Sequence, residues 1–160
     1  MIENTTVVEA TSGIIQVTGK LVIKNLVGVM AGFKPGKFIE SEKFMLGDIP
    51  LAIKVYPNGK TDESKGHVSV FLMNKGDEDI SVKSQIITDV KTLSLDYTDP
   101  VKAGSGLGWP DFLTHADYTD AYADIDKDFV VTANVEMPGG PVVIAAGGGL
   151  APNPRKFNLW

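Results

Sequence analysis

The chain has 160 residues, of which 43% are hydrophobic, and this content is enough to build one domain with a sizeable core. Its net charge of -5 argues against nucleic-acid binding, because that function needs clustered lysine and arginine side chains to neutralise phosphates. The chain contains no cysteine, which excludes disulfides, thiolate nucleophiles and cysteine metal sites and is consistent with a reducing compartment.

Alternating apolar and polar residues predict several short strands. In chain order, the apolar side of this pattern recurs within residues 51–55, 80–91 and 129–137, and residues 67–74 (HVSVFLMN) form a largely apolar run of strand length. Turn residues separate these segments, as in Y-P-N-G at 56–59. Short strands with regular turns are typical of an antiparallel sandwich or barrel.

Two segments between the strands have a different character. Residues 104–108 (GSGLG) resemble a phosphate-binding loop, but no parallel βαβ unit surrounds them, so we interpret them as a flexible connector. Residues 110–122 resist strand assignment, and we expect one or two short helical turns there that connect across the sandwich.

The composition changes after Met137. Residues 138–154 contain five glycines and four prolines around the short apolar run 142–146. We therefore predict an N-terminal tail at 1–10, a β-sandwich of about seven to eight strands at 11–138, and a Gly/Pro-rich extension at 139–160. The apolar tip of that extension could fold back on its own sandwich or dock on a neighbour.

Three segments carry a family resemblance. They are K-F-I-E-S-E-K-F at 37–44 running into L-A-I-K-V-Y-P-N-G at 51–59, then S-K-G-H-V-S-V-F-L at 64–72, and then G-W-P-D-F-L at 108–113 leading through H-A-D at 115–117 to the strand at 126–135. Together they resemble the MATH (meprin and TRAF homology, TRAF-like) domain over roughly residues 11–138. The resemblance implies an all-β antiparallel sandwich that binds protein rather than catalysing a reaction.

The resemblance also implies where a partner would bind. MATH domains bind short extended peptides of partner proteins along a groove on one sheet face, and the residues carried over by position are Lys54, Phe71, Ser105, Gly106, Leu107, Gly108 and Trp109. The lysine, aspartate and tryptophan of the family's adaptors are replaced here by Ser105, Gly106 and Leu107. We therefore expect an apolar or main-chain-dominated partner segment over a floor of Phe71 and Trp109. The alternative is that Phe71 and Trp109 are ordinary core residues, and we expect this of one of them.

Two other functions remain open on the sequence alone. Self-assembly into a homo-oligomer would have to use the sandwich itself or the tail, because no heptads precede residue 11 and nothing of domain size follows residue 138. Sugar binding is a weaker option, since exposed aromatics on a sheet face also suit carbohydrate.

Catalysis and metal binding find little support in the sequence. It contains two histidines and no nucleophile-elbow, zincin or Walker motif, and we expect His115 to have a packing and hydrogen-bonding role. Asp124, Asp126 and Asp128 alternate as in a calcium loop, but the glycine and glutamate of an EF-hand are missing. We predict no cofactor and no structural metal, and weak calcium binding stays a hypothesis.

The expected location is the cytoplasm, with no membrane partner. Residues 1–12 carry two glutamates and no apolar run, so they resemble neither a signal peptide nor an anchor. No stretch of the chain approaches the roughly 20 apolar residues that span a bilayer. The initial methionine leads us to expect a complete small chain rather than an excised domain.

Overall fold

The structure is a computed structural model that describes residues 7–8, 14–30, 32–96, 100–121 and 127–138. Its elements in chain order are β1 (Val7–Val8), β2 (Ile14–Ile23), α1 (Leu26–Met30), β3 (Ile39–Glu40), β4 (Phe44–Leu46), β5 (Ile49–Tyr56), a 3-10 turn (Asp62–Ser64), β6 (His67–Asn74), β7 (Lys83–Ile87), β8 (Thr92–Leu95), β9 (Gly106–Thr114), α2 (His115–Ala121) and β10 (Phe129–Pro138). Neither of these two helices is long or apolar enough to cross a membrane.

The strands form two sheets in which every pairing is antiparallel. The first sheet has the order β1-β2-β10-β7-β8, and the second has the order β3-β5-β6-β9, with β4 also paired to β5. Seven of these strands have four or more residues, which accounts for the predicted number of about seven to eight. The predicted antiparallel β-sandwich is confirmed.

The core lies between the two sheets because alternate residues of the long strands are apolar and face inward. On β10 the inward set is Phe129, Val131, Ala133, Val135 and Met137, and each is at most 1% exposed. Phe44 and Phe112 are fully buried and join this cluster. Gly19 makes room for one of them, because a Cβ there would lie 2.6 Å from Cγ of Phe44.

Several local expectations need correction. The connector predicted at 104–108 is wrong, because β9 begins at Gly106 and pairs with β6. The strand within 80–91 covers only Lys83–Ile87, since the Thr88 side chain bonds Lys91 and turns the chain. The helix predicted within 110–122 is confined to α2, because residues 110–114 continue β9.

Two elements were not expected from the sequence, and the two predicted terminal segments have different outcomes. The strand pattern in β2 and the short α1 were not predicted. Val7–Val8 pairs with β2, so the predicted N-terminal tail contributes a strand to the first sheet. The extension at 139–160 lies outside the described residues.

Candidate functional site

Two rows of residues cross the outer face of the second sheet, the face that points away from the core. Lys54 on β5 lies opposite Phe71 on β6, and Phe71 lies opposite Gly108 on β9. The neighbouring row consists of Ala52, Met73 and Gly106 in the same order. Because paired residues share a face, these six residues form one continuous part of this outer face.

The glycines of β9 allow a close approach to β6. A Cβ on Gly108 would overlap the Val70 carbonyl oxygen and lie 2.6 Å from Cα of Phe71. A Cβ on Gly106 would overlap the Met73 sulfur and lie 2.7 Å from the Leu72 carbonyl oxygen. Any side chain at these two positions would therefore push the strands apart.

Three aromatic rings line up across the outer face, and we call them the aromatic row. Phe38 contacts Tyr56 edge-on at 5.7 Å between ring centroids, and Tyr56 contacts Phe71 in the same way at 5.8 Å. Phe38 is 48% exposed, whereas Tyr56 and Phe71 are each 8% exposed. The row thus has one accessible ring that two buried rings hold in place.

Lysine ammonium groups sit over this row. Lys54 Nζ lies 4.1 Å from the Phe38 ring centroid, and Lys60 Nζ lies 4.9 Å from that of Phe71. Glu40 carries the balancing charge, at 3.3 Å from Lys75 Nζ and 4.0 Å from Lys54 Nζ. Because two ammonium groups share one carboxylate, this part of the face keeps a positive charge beside apolar rings.

Burial raises the pKa of Tyr56 above its ordinary value of 10.0, and the negative charge of Glu40 raises it further. Ionisation of Tyr56 therefore opposes folding. The stability that comes from keeping the Tyr56 hydroxyl protonated is complete below pH 10. It is lost as the pH rises through the higher folded-state pKa. We expect Tyr56→Phe to lose less stability than the wild type above pH 10 in urea titrations. Parallel curves for the two proteins would contradict this coupling.

Polar contacts link β6 and β9 to each other and to the neighbouring turns. The Ser69 hydroxyl donates to the Pro110 carbonyl oxygen and accepts from the Lys60 backbone N–H at 3.0 Å. His115 Nε2 lies 2.8 Å from the Pro57 carbonyl oxygen, which confirms the hydrogen-bonding role predicted for it. These bonds hold Lys60 near Phe71 and tie β9 to the Y-P-N-G turn.

Comparison with known proteins identifies the fold family. A family model described as MATH domain matches residues 20–135. The chain belongs to the MATH domain family. MATH domains are, in general, protein-protein interaction modules and not enzymes.

A protein of similar sequence and a solved structure of similar fold were found. A TNF receptor-associated factor family protein of Dictyostelium discoideum is 30% identical over an alignment of 128 residues, and this alignment covers 74% of this chain and 28% of that protein. The chain therefore spans about 28% of the length of this relative. The structure of Notothenia coriiceps TRAF5 is similar with a TM-score of 0.57 at 18% identity, over 80% of this chain and 77% of that one, and this likeness concerns the fold.

The structure brings four of the predicted site residues together and separates the other three. Lys54, Phe71, Gly106 and Gly108 share the outer face. Ser105 is exposed just before β9, and its carbonyl oxygen accepts the Asn74 N–H at 2.8 Å.

Leu107 and Trp109 lie on the opposite side of β9, because side chains alternate along a strand. Both are packed against the core, and the Trp109 ring is 6.0 Å from that of Phe112. The predicted floor shared by Phe71 and Trp109 is therefore wrong for this MATH domain. The alternative, that one of the two aromatics packs with the core, is confirmed for Trp109.

Sequence reasoning missed part of the outer face. Tyr56 and Met73 each stand two residues beyond a predicted site residue, so strand periodicity alone could have found them. Phe38 and Lys60 come from segments outside the strands, and no local pattern indicates that they reach the same surface.

An open cleft of about 380 Å³ continues the outer face past Pro110. Its lining residues are Thr61, Glu63, Ser64, His67, Pro110 and Asp111. In contrast to the positive charge beside Phe71, the two acidic side chains give this end an acidic character.

Metal binding finds no support in the described part of the chain. No group of three histidine or carboxylate side chains there could hold a metal ion. Asp124 and Asp126 lie outside the described residues, so weak calcium binding at that turn stays a prediction.

Proposed function

We propose that this MATH domain binds a short, extended segment of a partner protein across the outer face and beside β9. The observation that carries the proposal is the row Lys54, Phe71 and Gly108, which ends at a nine-residue strand with β6 as its one described partner. A strand with an open edge offers backbone hydrogen bonds to an extended peptide, and side-chain contacts beside it supply specificity.

The side chains of the outer face favour a partner segment with an apolar residue. Met73 is half-buried and supplies apolar surface above the glycines of β9, beside the small exposed part of the Phe71 ring. Lys60 is exposed at the border of this surface and can pair with a carboxylate of the partner. Lys54 is held by Glu40 and Phe38, so we propose that it positions the exposed ring of Phe38.

Selection from a displayed library of short peptides tests the proposal. We expect one motif to be enriched by the wild type and lost with Phe71→Ala and with Lys54→Ala. Val22→Ala is the matched control, because Val22 is a 49% exposed apolar residue on the outer side of the first sheet. Circular dichroism must show that all variants are folded. Absence of enrichment, or equal enrichment by folded Phe71→Ala and Lys54→Ala proteins, would contradict the proposal.

The exposed ring of Phe38 gives a sharper prediction. We expect Phe38→Ala to weaken binding of the selected peptide by roughly thirtyfold, because truncating an interface hot spot costs about 2 kcal/mol. Its free energy of unfolding should change by less than about 1 kcal/mol, because the side chain is 48% exposed. Isothermal titration calorimetry measures the first quantity and urea denaturation the second. Unchanged affinity would place Phe38 outside the binding surface.

A further inference from the structure

The side chain of Met73 lies on the outer face, where a partner segment would cover it. We propose that Met73 is a site of oxidative modification, and that its conversion to methionine sulfoxide weakens binding of the partner segment. The effect on binding rests on the proposed function, whereas the preferential oxidation of Met73 does not.

The position of Met73 distinguishes it from the other methionines of the chain. The sequence contains five methionines and no cysteine, so thioethers are its only oxidisable sulfur groups. Met30 and Met137 lie in the core and are at most 5% exposed. Met45 and Met73 are half-buried, but Met45 is on β4, which β5 separates from β6. Met1 lies outside the described residues.

Met73 projects from the outer face between two small neighbours. Its partners across the strands are Ala52 on β5 and Gly106 on β9, so no side chain larger than a methyl group flanks it in its row. The sulfur lies directly beside Gly106, because a Cβ there would overlap it and lie 3.3 Å from Cε of Met73. Phe71 is two residues earlier on the same strand and faces the same side. The thioether therefore borders both β9 and the surface proposed for binding.

A two-electron oxidant such as hydrogen peroxide converts this thioether to a sulfoxide. A sulfur lone pair attacks one peroxide oxygen, the O–O bond breaks, and an S–O bond forms. The sulfur loses two electrons to the peroxide, and the released hydroxide takes the proton of the new hydroxyl group to give water. Methionine sulfoxide reductases reverse the change, so the modification can act as a switch.

A sulfoxide at Met73 opposes binding because it is polar where the partner is expected to be apolar. The thioether is flexible and apolar, whereas the sulfoxide oxygen is a hydrogen-bond acceptor that holds water. A partner segment must remove this water, and an apolar side chain offers no donor in return. Met73 points away from the core, in contrast to the fully buried Leu72 beside it, so we expect the fold to tolerate the oxygen.

Peptide mapping by mass spectrometry tests the oxidation without any partner. The full chain is treated with hydrogen peroxide, and the gain of one oxygen is followed over time at each methionine. We expect Met73 to be oxidised at least about tenfold faster than Met30 and Met137, because burial shields those two sulfur atoms. Oxidation of Met73 as slowly as that of Met137 would overturn the proposal.

Affinity for the selected peptide tests the effect on binding. We expect oxidation to weaken binding by the wild type about tenfold, and the two methionine sulfoxide reductases with a thiol reductant to restore it. Met73→Leu keeps an apolar side chain of similar volume and should bind equally before and after oxidation. Met45→Leu is the matched control and should lose affinity on oxidation as the wild type does. An equal loss in Met73→Leu would overturn the proposal, because another group would then be responsible.

Met73→Gln tests the role of polarity without an oxidant. Its amide oxygen resembles that of the sulfoxide, so we expect about tenfold weaker binding by a protein that circular dichroism shows to be folded. Met45→Gln should bind as the wild type does. Peptide binding that neither oxidation nor Met73→Gln changes would refute the proposed switch and leave the proposed function standing. No peptide binding by the reduced wild type would refute the proposed function and the switch with it, while preferential oxidation of Met73 would stand.

Discussion

Gly108→Ala is expected to lower the free energy of unfolding by about 2–3 kcal/mol and to abolish binding of the partner segment. The added Cβ would overlap the Val70 carbonyl oxygen and lie 2.6 Å from Cα of Phe71. Both of these atoms belong to the β6 backbone, so no side-chain rotation relieves the contact. β9 must move away from β6, which disrupts the row that carries the proposed function. Urea denaturation and calorimetric titration with the selected peptide measure the two effects.

Gly104→Ala is the matched control for this substitution. Gly104 has a φ of +76°, and a Cβ added there would have no neighbouring atom within 4 Å, so alanine meets only backbone strain. We expect a cost of about 1–2 kcal/mol from the left-handed conformation, with binding retained. If Gly108→Ala kept wild-type stability and affinity, the close approach of β9 and β6 would not be needed for binding.

Asn74→Ala is expected to lower the free energy of unfolding by about 3 kcal/mol, because a fully buried side chain loses all its hydrogen bonds. Its amide donates to the carbonyl oxygens of Glu78 at 2.7 Å and Val101 at 2.9 Å. Its side-chain oxygen accepts the Gly76 N–H at 2.9 Å. These bonds organise the loops that lead into β9, so peptide affinity should fall as well.

Asn134→Ala provides the comparison for Asn74→Ala. Asn134 accepts one exposed hydrogen bond from Thr18 at 2.8 Å on the first sheet. Its loss should cost less than about 1 kcal/mol and leave peptide affinity unchanged. Equal costs for the two substitutions would show that the buried network at Asn74 contributes no more than a surface contact.

The fold could be predicted from the sequence where a strand carries a clear apolar pattern. The strand at 67–74, predicted from its apolar run, has the predicted bounds. The strand predicted at 129–137 from its two-residue period extends by one residue. The glycine-rich start of β9 could not be recognised in this way. Glycines in such a run are typical of a loop. Here they lie in a strand, because a side chain at either position would collide with Phe71 or Met73 on β6.

The candidate site was predicted in part for the same reason. Lys54 and Phe71 were found from motif positions, and their pairing across β5 and β6 agrees with that expectation. The sheet face on which Trp109 lies was misjudged, because the face that each β9 residue occupies depends on the register of β9 with β6. Phe38 reaches the surface through the tertiary contact with Tyr56, which no local pattern shows.

Chemical-shift mapping of the selected peptide on the labelled full chain is the most direct test of the proposed binding face. The amides of β6 and β9 around Phe71 and Gly108 should shift on titration, with Lys60 affected at the border. Residues 16–22 on the first sheet should keep their positions. Shifts confined to the first sheet, or the same shifts on β6 and β9 with a peptide of scrambled sequence, would contradict specific recognition by the outer face.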